Sequence, residues 1–212
     1  MPSPSTLAAF ALAALLLILL PGPSMLFLVA RGVSGGRRAG VVSALGIQAS
    51  TAVYVAATAL GLTAVLAASA LALSTIRYAG AAYLVYLGVR TLLDRSELQA
   101  PSLDAAQPSA WASWRQGFTV GISNPKVALF FLAFFPQFVH PEVGPVATQV
   151  LVLGGVIIAI GMVFDLSYGA FGGLIQTRMG RGRGGLRRGR VAVGLTYIGL
   201  GGLTAVTAQR TL

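Results

Sequence analysis

Long apolar stretches alternate with short polar segments along the whole chain. Six such stretches stand out, at residues 7–29, 41–68, 71–93, 118–139, 147–175 and 191–207. All but the last exceed the roughly 18 residues typical of a membrane-spanning segment, and the last is nearly free of charge. Because a spanning backbone must satisfy its own hydrogen bonds, the pattern predicts an all-α membrane protein with six transmembrane helices.

The arginines indicate the orientation of these helices. All but Arg77 and Arg210 lie in or beside the first, third and fifth connections, at positions 31, 37, 38, 90, 95, 115, 178, 181, 183, 187, 188 and 190. Positive loops remain on the cytoplasmic side, so both termini are predicted to lie outside.

A polar segment divides the chain in the middle. Residues 94–115 contain Pro101 and Pro108, which is typical of a linker, and the arginines place this segment on the cytoplasmic side. Trp111 and Trp114 lie near its end, where aromatic residues of the membrane interface are expected. The segments on either side, 1–93 and 116–212, each hold three predicted helices. Three is an odd number, so the second set enters the membrane from the opposite side. The arrangement predicts one transmembrane domain built from two inverted three-helix repeats, a common transporter plan.

Composition supports a membrane location. Hydrophobic residues make up 56% of the chain and charged residues 9%, whereas soluble domains carry about 25% charged residues. The chain has no cysteine and one histidine, His140, which excludes Cys-based or clustered His metal sites. Met1–Thr6 carries no Lys or Arg, so the first stretch is not expected to be a cleaved signal peptide.

The arginine-rich segment from Arg178 to Arg190 has three interpretations. It could bind nucleic acid, contact anionic lipid headgroups, or serve as a topology determinant between two spans. The basic residues lie between apolar segments and not along one face, so a topology determinant compatible with lipid contact is favoured and no nucleic-acid partner is expected.

Prolines interrupt the first apolar stretch. Pro21, Gly22, Pro23 and Ser24 follow one another there, and two prolines remove backbone hydrogen bonds from a helix. Carbonyls freed in this way are tolerated inside a membrane only where they are buried or face a cavity.

The fourth stretch is interrupted in the equivalent place. Asn124, Pro125 and Lys126 lie within it, so an amide and an amine accompany the second break. Paired interruptions in corresponding spans indicate a substrate site near the membrane midplane. The alternatives are ordinary proline kinks, or a helix start that follows a short preceding helix.

Two ionisable side chains lie within predicted spans. We expect Lys126 either to extend to the cytoplasmic edge or to pair with a carboxylate, because a buried amine is costly in hydrocarbon. Asp165 is the only carboxylate inside a span. It could bind a substrate ammonium, take up a proton, form a structural pair with Lys126, or simply lie close to the outer interface.

Polar residues also cluster in the second span. Gln48 and Thr51 share one helix face, and Ser50 and Tyr54 share another. They could line a polar path or form hydrogen bonds between helices. The sequence shows no catalytic constellation and no phosphate-binding loop with a Gly-Lys-Ser/Thr ending, so neither an enzyme nor a cofactor is predicted.

Three groups of residues resemble the lysine/homoserine-threonine exporter family (LysE/RhtB) over nearly the whole chain. The motifs are PGPS at 21–24 with RG at 31–32 and GGRRAG at 35–40, RYAGAAYLVYLG at 77–88, and GF at 117–118 with SNPK at 123–126 and FFPQF at 134–138. Together, in this order and spacing, they are specific.

The resemblance implies a six-span exporter of amino acids, driven by the proton gradient, with a homodimer as one assembly. Many family members carry an acidic residue in the second span where this chain has Thr51, so the resemblance favours neutral substrates such as homoserine, threonine or leucine over cationic ones. The alternatives are a transporter of another small solute or a metal cation, and a non-transporting membrane scaffold.

Overall fold

The described part of the chain is helical throughout. A computed structural model describes residues 1–68 and 109–172, together with Tyr86 and Val89, and contains no strand within those residues. Six α-helices are present in this part: α1 (Pro4–Leu19), α2 (Pro23–Ser34), α3 (Gly36–Ala68), α4 (Ala110–Ile122), α5 (Pro125–Leu129) and α6 (Val146–Ala170). The all-helical class predicted from the sequence is confirmed for these residues.

Two of the helices are long and apolar enough to cross a membrane by themselves. They are α3, over residues 36–62, and α6. Two bent pairs pass the same test when each counts as one span: α1 with α2, bent by 54°, and α4 with the helical segment Pro125–Phe138 that begins with α5, bent by 47°. The described residues therefore supply two to four candidate spans, judged by length and composition.

Serine caps extend two helices beyond their predicted apolar stretches. Ser3 accepts a hydrogen bond from the N–H of Thr6 at 3.1 Å, so α1 begins at Pro4. Ser109 accepts one from Ala112 at 3.2 Å, so α4 begins inside the segment assigned to the linker. Such caps satisfy backbone donors that the first helical turn leaves without partners.

The fourth apolar stretch is not a regular helix to its end. A π-helical turn at Phe130–Phe134 and a 3-10 turn at Phe135–Phe138 follow α5. Pro136 lacks an N–H and its ring crowds the carbonyl one turn earlier, so regular α-helical bonding cannot continue past it. The buried phenylalanines of this segment face Phe10 of α1, at ring distances of 5.9 Å for Phe130 and 5.0 Å for Phe135.

Two apolar clusters form the core of the described part. The larger cluster joins α1, the second half of α3, the segment 130–139 and the first half of α6, around Phe10 and Leu153. The smaller cluster joins α2, the first half of α3 and the end of α6, around Leu28 and Tyr168. Helix α3 runs through both clusters, and the candidate site lies between them.

Small residues let α3 approach its neighbours closely. A side chain added at Gly117 of α4 would meet the backbone of Ser43, and one added at Gly40 would meet the backbone of Gly169 in α6. Contacts of this kind are typical of helix packing in membranes, where van der Waals packing replaces the hydrophobic effect. They hold α3, α4 and α6 in fixed register around the site.

Hydrogen bonds show which connections share an end of the molecule. The buried Arg31 of α2 donates from Nη2 to Ser113 of α4 at 3.3 Å. At the opposite end, Gln149 of α6 binds the backbone of His140, and the N-terminus lies 3.4 Å from the carbonyl oxygen of Val143. The first connection and the start of α4 therefore share one end, which agrees with the grouping of arginines in the sequence.

Several predictions concern parts of the chain outside the described residues. These are the third span apart from Tyr86 and Val89, the sixth span, residues 94–108 of the predicted linker and the stretch from Arg178 to Arg190. Six spans in two inverted repeats therefore remain a prediction.

Candidate functional site

The two proline breaks lie side by side. Asn124 donates from Nδ2 to the hydroxyl oxygen of Ser24 at 2.6 Å, which connects the start of α5 to the start of α2. Its other amide atom, Oδ1, accepts the backbone N–H of Lys126 at 3.0 Å and caps α5. Asn124 is 1% exposed, so a single buried amide fixes both helix starts.

Lys126 bridges the end of α1. Its Nζ donates to the carbonyl oxygens of Leu17 at 2.7 Å and Leu20 at 2.9 Å. These carbonyls lie at the C-terminal end of α1, where the helix supplies no further backbone N–H to bind them. The positive charge of a lysine at this place also interacts favourably with the negative end of the helix dipole. The side chain is 6% exposed.

Both predicted placements of the Lys126 side chain are therefore wrong. It is buried, so it does not extend to the cytoplasmic edge, and it forms no ion pair with Asp165 in the described structure, where the one salt bridge joins His140 and Glu142. The break in α1 explains the difference, because it presents acceptor carbonyls that an unbroken helix would have used internally.

Gly22 leaves room for this lysine. A Cβ at Gly22 would lie 3.1 Å from Nζ and 3.3 Å from Cε of Lys126. Gly22 also precedes Pro23, the first residue of α2, and offers no side-chain cap to that helix. Pro21 lies in the connection between α1 and α2, outside both helices. The break thus exposes the first backbone N–H groups of α2 beside the lysine.

Asp165 and Gln48 form the opposite side of the site. Nε2 of Gln48 donates to Oδ2 of Asp165 at 2.7 Å, and the two side chains are 6% and 9% exposed, respectively. Within the described residues, Oε1 of Gln48 is buried and has no hydrogen-bond partner. Gly161 faces the Gln48 amide so closely that a Cβ there would collide with it.

A cavity connects these groups. Its volume is about 50 Å³, which is several times the volume needed to hold one water molecule. Its polar lining comprises Ser24, Gln48, Thr51, Asn124, Lys126 and Asp165. The rest is Leu17, Ile18, Met25, Ile47, Val127, Ile157 and Gly161. The cavity suits a small solute with polar groups at two places and a short apolar part.

Six of the ten residues predicted for the site line this cavity. Of the other four, Gly22 contacts Lys126 as described, and Pro21, Pro23 and Pro125 shape the breaks. The polar residues of the second predicted span have different roles on different faces of α3. Gln48 and Thr51 face the cavity, whereas Tyr54 donates to the carbonyl oxygen of Ile122 at 2.7 Å between helices.

Two features of the site were not predicted from the sequence. The carbonyls of Leu17 and Leu20 carry no sequence signal, because every residue has a carbonyl. Gly161 is one of many glycines in the chain, and only its place opposite Gln48 gives it a role.

Comparison with known proteins identifies relatives of the chain. The LysE type translocator family matches residues 15–207 of the chain. An uncharacterized membrane protein of Pseudomonas aeruginosa is 34% identical over 202 residues, which cover 91% of each chain. An uncharacterized membrane protein of Vibrio cholerae is 34% identical over 164 residues, covering 76% of this chain and 78% of its own.

One further relative has a name that states an activity. It is the homoserine/homoserine lactone efflux protein of Salmonella typhimurium, 31% identical over 160 residues, covering 76% of this chain and 77% of its own. No solved structure matches the chain. The extent of the family match and the identity to membrane proteins of two bacteria lead to one conclusion: the chain belongs to the LysE type translocator family, and is a bacterial membrane protein of the transporter class.

Proposed function

We propose that the protein exports small neutral amino acids by secondary active transport. The observation that carries the proposal is the presence of one buried ammonium, that of Lys126, and one buried carboxylate, that of Asp165, in the same cavity without a bond between them. An α-amino acid carries the two complementary charges on groups bonded to the same carbon, so it can bind both Lys126 and Asp165 at once.

The part of the site that would bind the substrate carboxylate lies at the break between α1 and α2. Lys126 uses two of its three N–H donors on Leu17 and Leu20, which leaves one for a ligand. The N-terminal end of α2, at Ser24 and Met25, also borders the cavity and carries the positive end of a helix dipole. Both features favour a carboxylate, as in transporters whose discontinuous helices bind the substrate's anionic group.

The part of the site that would bind the substrate ammonium lies at Asp165. One of its carboxylate oxygens accepts from Gln48, and the other has no hydrogen bond within the described structure. An intramembrane carboxylate is costly unless it faces a partner or a cavity, and this one does face the cavity. It can therefore receive a substrate ammonium or, between transport cycles, a proton.

The charge balance favours neutral amino acids. The formal charges of Lys126 and Asp165 cancel, and no other ionisable side chain among the described residues lines the cavity. A zwitterion keeps that balance, whereas a cationic amino acid would bring a further charge among Leu17, Ile18 and Met25. The relative named as a homoserine/homoserine lactone efflux protein supports a substrate of this size.

The transport cycle proposed here is alternating access coupled to protons. The cavity lies between two apolar clusters, and separating either one would open it to one side of the membrane. We place the chain in the bacterial inner membrane as six spans in two inverted repeats, residues 1–93 and 116–212, with both termini outside. Anionic lipids would contact the arginines from Arg178 to Arg190, and a homodimer is the proposed assembly.

Counterflow in proteoliposomes tests the proposed function. Vesicles containing the purified protein are loaded with unlabelled threonine, leucine, homoserine or lysine, and uptake of the same labelled amino acids is followed. We expect exchange with neutral amino acids, little with lysine, and proton flux when a neutral amino acid is added. Folded protein that exchanges no amino acid would overturn the proposal and favour another solute or a scaffold role.

A further inference from the structure

We infer that Gln48 selects substrates bearing a free primary ammonium, because its Oε1 and the free oxygen of Asp165 together present two acceptors to one group. The inference rests on the proposed function and names the chemical feature that the same site recognises. Both side chains line the cavity and are bonded to each other through Nε2 and Oδ2.

The orientation of the Gln48 amide is fixed by its neighbour. The atom 2.7 Å from the carboxylate of Asp165 must be the amide nitrogen, because two oxygens without a proton would repel each other at that distance. Oε1 is therefore directed elsewhere, and it is buried without a partner within the described residues. Buried acceptors are nearly always satisfied in folded proteins, so this oxygen requires a ligand or a water.

Gly161 holds the amide in place. A Cβ at that position would collide with Gln48, so the glycine backbone packs directly against the amide plane. Helix α6 thus supplies both Asp165 and the surface that positions its partner. Gly161 and Asp165 are four residues apart and share one helix face.

A protonated primary amine matches two acceptors better than other groups of the same size. It carries a positive charge and three N–H donors, of which two can reach Oε1 of Gln48 and the free oxygen of Asp165. A hydroxyl has one donor and no charge, and an N-acetylated amine has one donor and added bulk. Either replacement would leave a buried acceptor without a partner, which is how sites built around polar contacts reject close analogues.

The test compares amino acids with their 2-hydroxy analogues. In one assay, unlabelled leucine or 2-hydroxy-4-methylpentanoate competes with the exchange of labelled leucine. In the other assay, unlabelled threonine or 2,3-dihydroxybutanoate competes with the exchange of labelled threonine. The ratio of the two inhibition constants measures the preference for an ammonium. Wild type, Gln48→Met and Ser50→Ala are compared. Methionine preserves the approximate volume of Gln48 but neither accepts nor donates strongly, whereas Ser50 binds the carbonyl of Ile47 in its own helix.

We expect the wild-type protein to prefer the amino acid by about a hundredfold, and Gln48→Met to lower that ratio about tenfold, the loss typical of one hydrogen bond to a charged group. Ser50→Ala should leave the ratio unchanged. An equal ratio in Gln48→Met and wild type would overturn the inference and would mean that Oε1 of Gln48 binds a water molecule and not the substrate. Because leucine and threonine exchange by wild type is measured in the same assay, that result would leave the proposed function standing.

Two further measurements test the inference even if the Gln48→Met variant does not fold. Gln48→Glu retains a carbonyl acceptor and, with the new carboxyl protonated, a donor to Asp165, so it should keep the preference for the amino acid. N-acetylleucine should inhibit wild-type exchange at least tenfold more weakly than leucine if a charged hydrogen bond is lost. Equal inhibition by N-acetylleucine and leucine, or loss of the preference in Gln48→Glu, would overturn the inference.

Discussion

The ammonium of Lys126 lies 2.7 Å from the carbonyl oxygen of Leu17, 109 residues earlier in the chain. A second bond, 2.9 Å long, joins it to Leu20. A residue at the start of α5 thus satisfies the end of α1, and the two interrupted helices act as one element at the cavity. A movement of one break therefore changes the surroundings of the other, which is the coupling that alternating access around a central site requires.

Replacing Lys126 by methionine should damage both stability and transport. The variant leaves the buried carbonyl of Leu17 without a donor, at a cost of about 1–3 kcal/mol, and also the partly buried carbonyl of Leu20. We expect a lower midpoint of thermal unfolding in detergent and at least a tenfold loss of threonine exchange. Wild-type exchange by Lys126→Met would contradict the role assigned to the ammonium.

Gly22→Ala should impair transport more than a comparable glycine substitution elsewhere. The new methyl group would lie about 3.1 Å from Nζ of Lys126 and displace it from the carbonyls of α1. Gly155→Ala is the matched control, because a Cβ at that exposed position in α6 meets nothing within 4 Å. Exchange rates and unfolding midpoints of the two variants should differ. Equal behaviour would show that Lys126 does not need the space above Gly22.

Ser24 and Asn124 should be coupled energetically. Their 2.6 Å hydrogen bond joins the two breaks, so a double-mutant cycle of Ser24→Ala and Asn124→Ala should give an interaction of about 0.5–3 kcal/mol. Asn124→Ala alone also removes the cap of α5, worth about 1 kcal/mol. Denaturant unfolding in mild detergent measures each free energy. Strict additivity would mean that the two breaks are held together by other contacts.

The sequence predicted the location of the site through its prolines. A proline inside an apolar stretch interrupts a helix wherever it occurs, so Pro23 and Pro125 marked both breaks without knowledge of tertiary structure. Asp165 was equally visible, because a carboxylate in a predicted span is rare. These features follow from local chemistry and from the bilayer as solvent.

The partners of these residues could not be predicted in the same way. Lys126 binds backbone carbonyls, and only the three-dimensional approach of α1 to α5 reveals which ones. Gln48 and Asp165 are 117 residues apart, and their contact depends on the close packing of α3 on α6. The start of α4 at Ala110 depends on a single serine cap within a segment whose composition resembles a linker.

Asp165→Asn should separate binding from coupling. The amide retains an acceptor for the substrate but cannot exchange a proton, so a pH gradient should no longer drive accumulation, while exchange continues with weaker affinity. Glu142→Gln provides the control, because Glu142 is exposed and pairs with His140 away from the cavity. An Asp165→Asn variant with the normal rate and unchanged pH dependence would remove Asp165 from the mechanism.

The most direct test of the transport site asks whether substrate occupies the cavity between the two proline breaks. The chain has no cysteine, so Thr51→Cys introduces a single thiol into the cavity wall, and Ser34→Cys introduces one at an exposed position as a control. The rate of modification by a small methanethiosulfonate reagent is measured with and without threonine, leucine or lysine. We expect that the neutral amino acids slow modification at Thr51→Cys several-fold, that lysine does so weakly, and that none affects Ser34→Cys. Equal rates at Thr51→Cys with and without an amino acid that the variant exchanges would contradict the assignment of this cavity as the transport site.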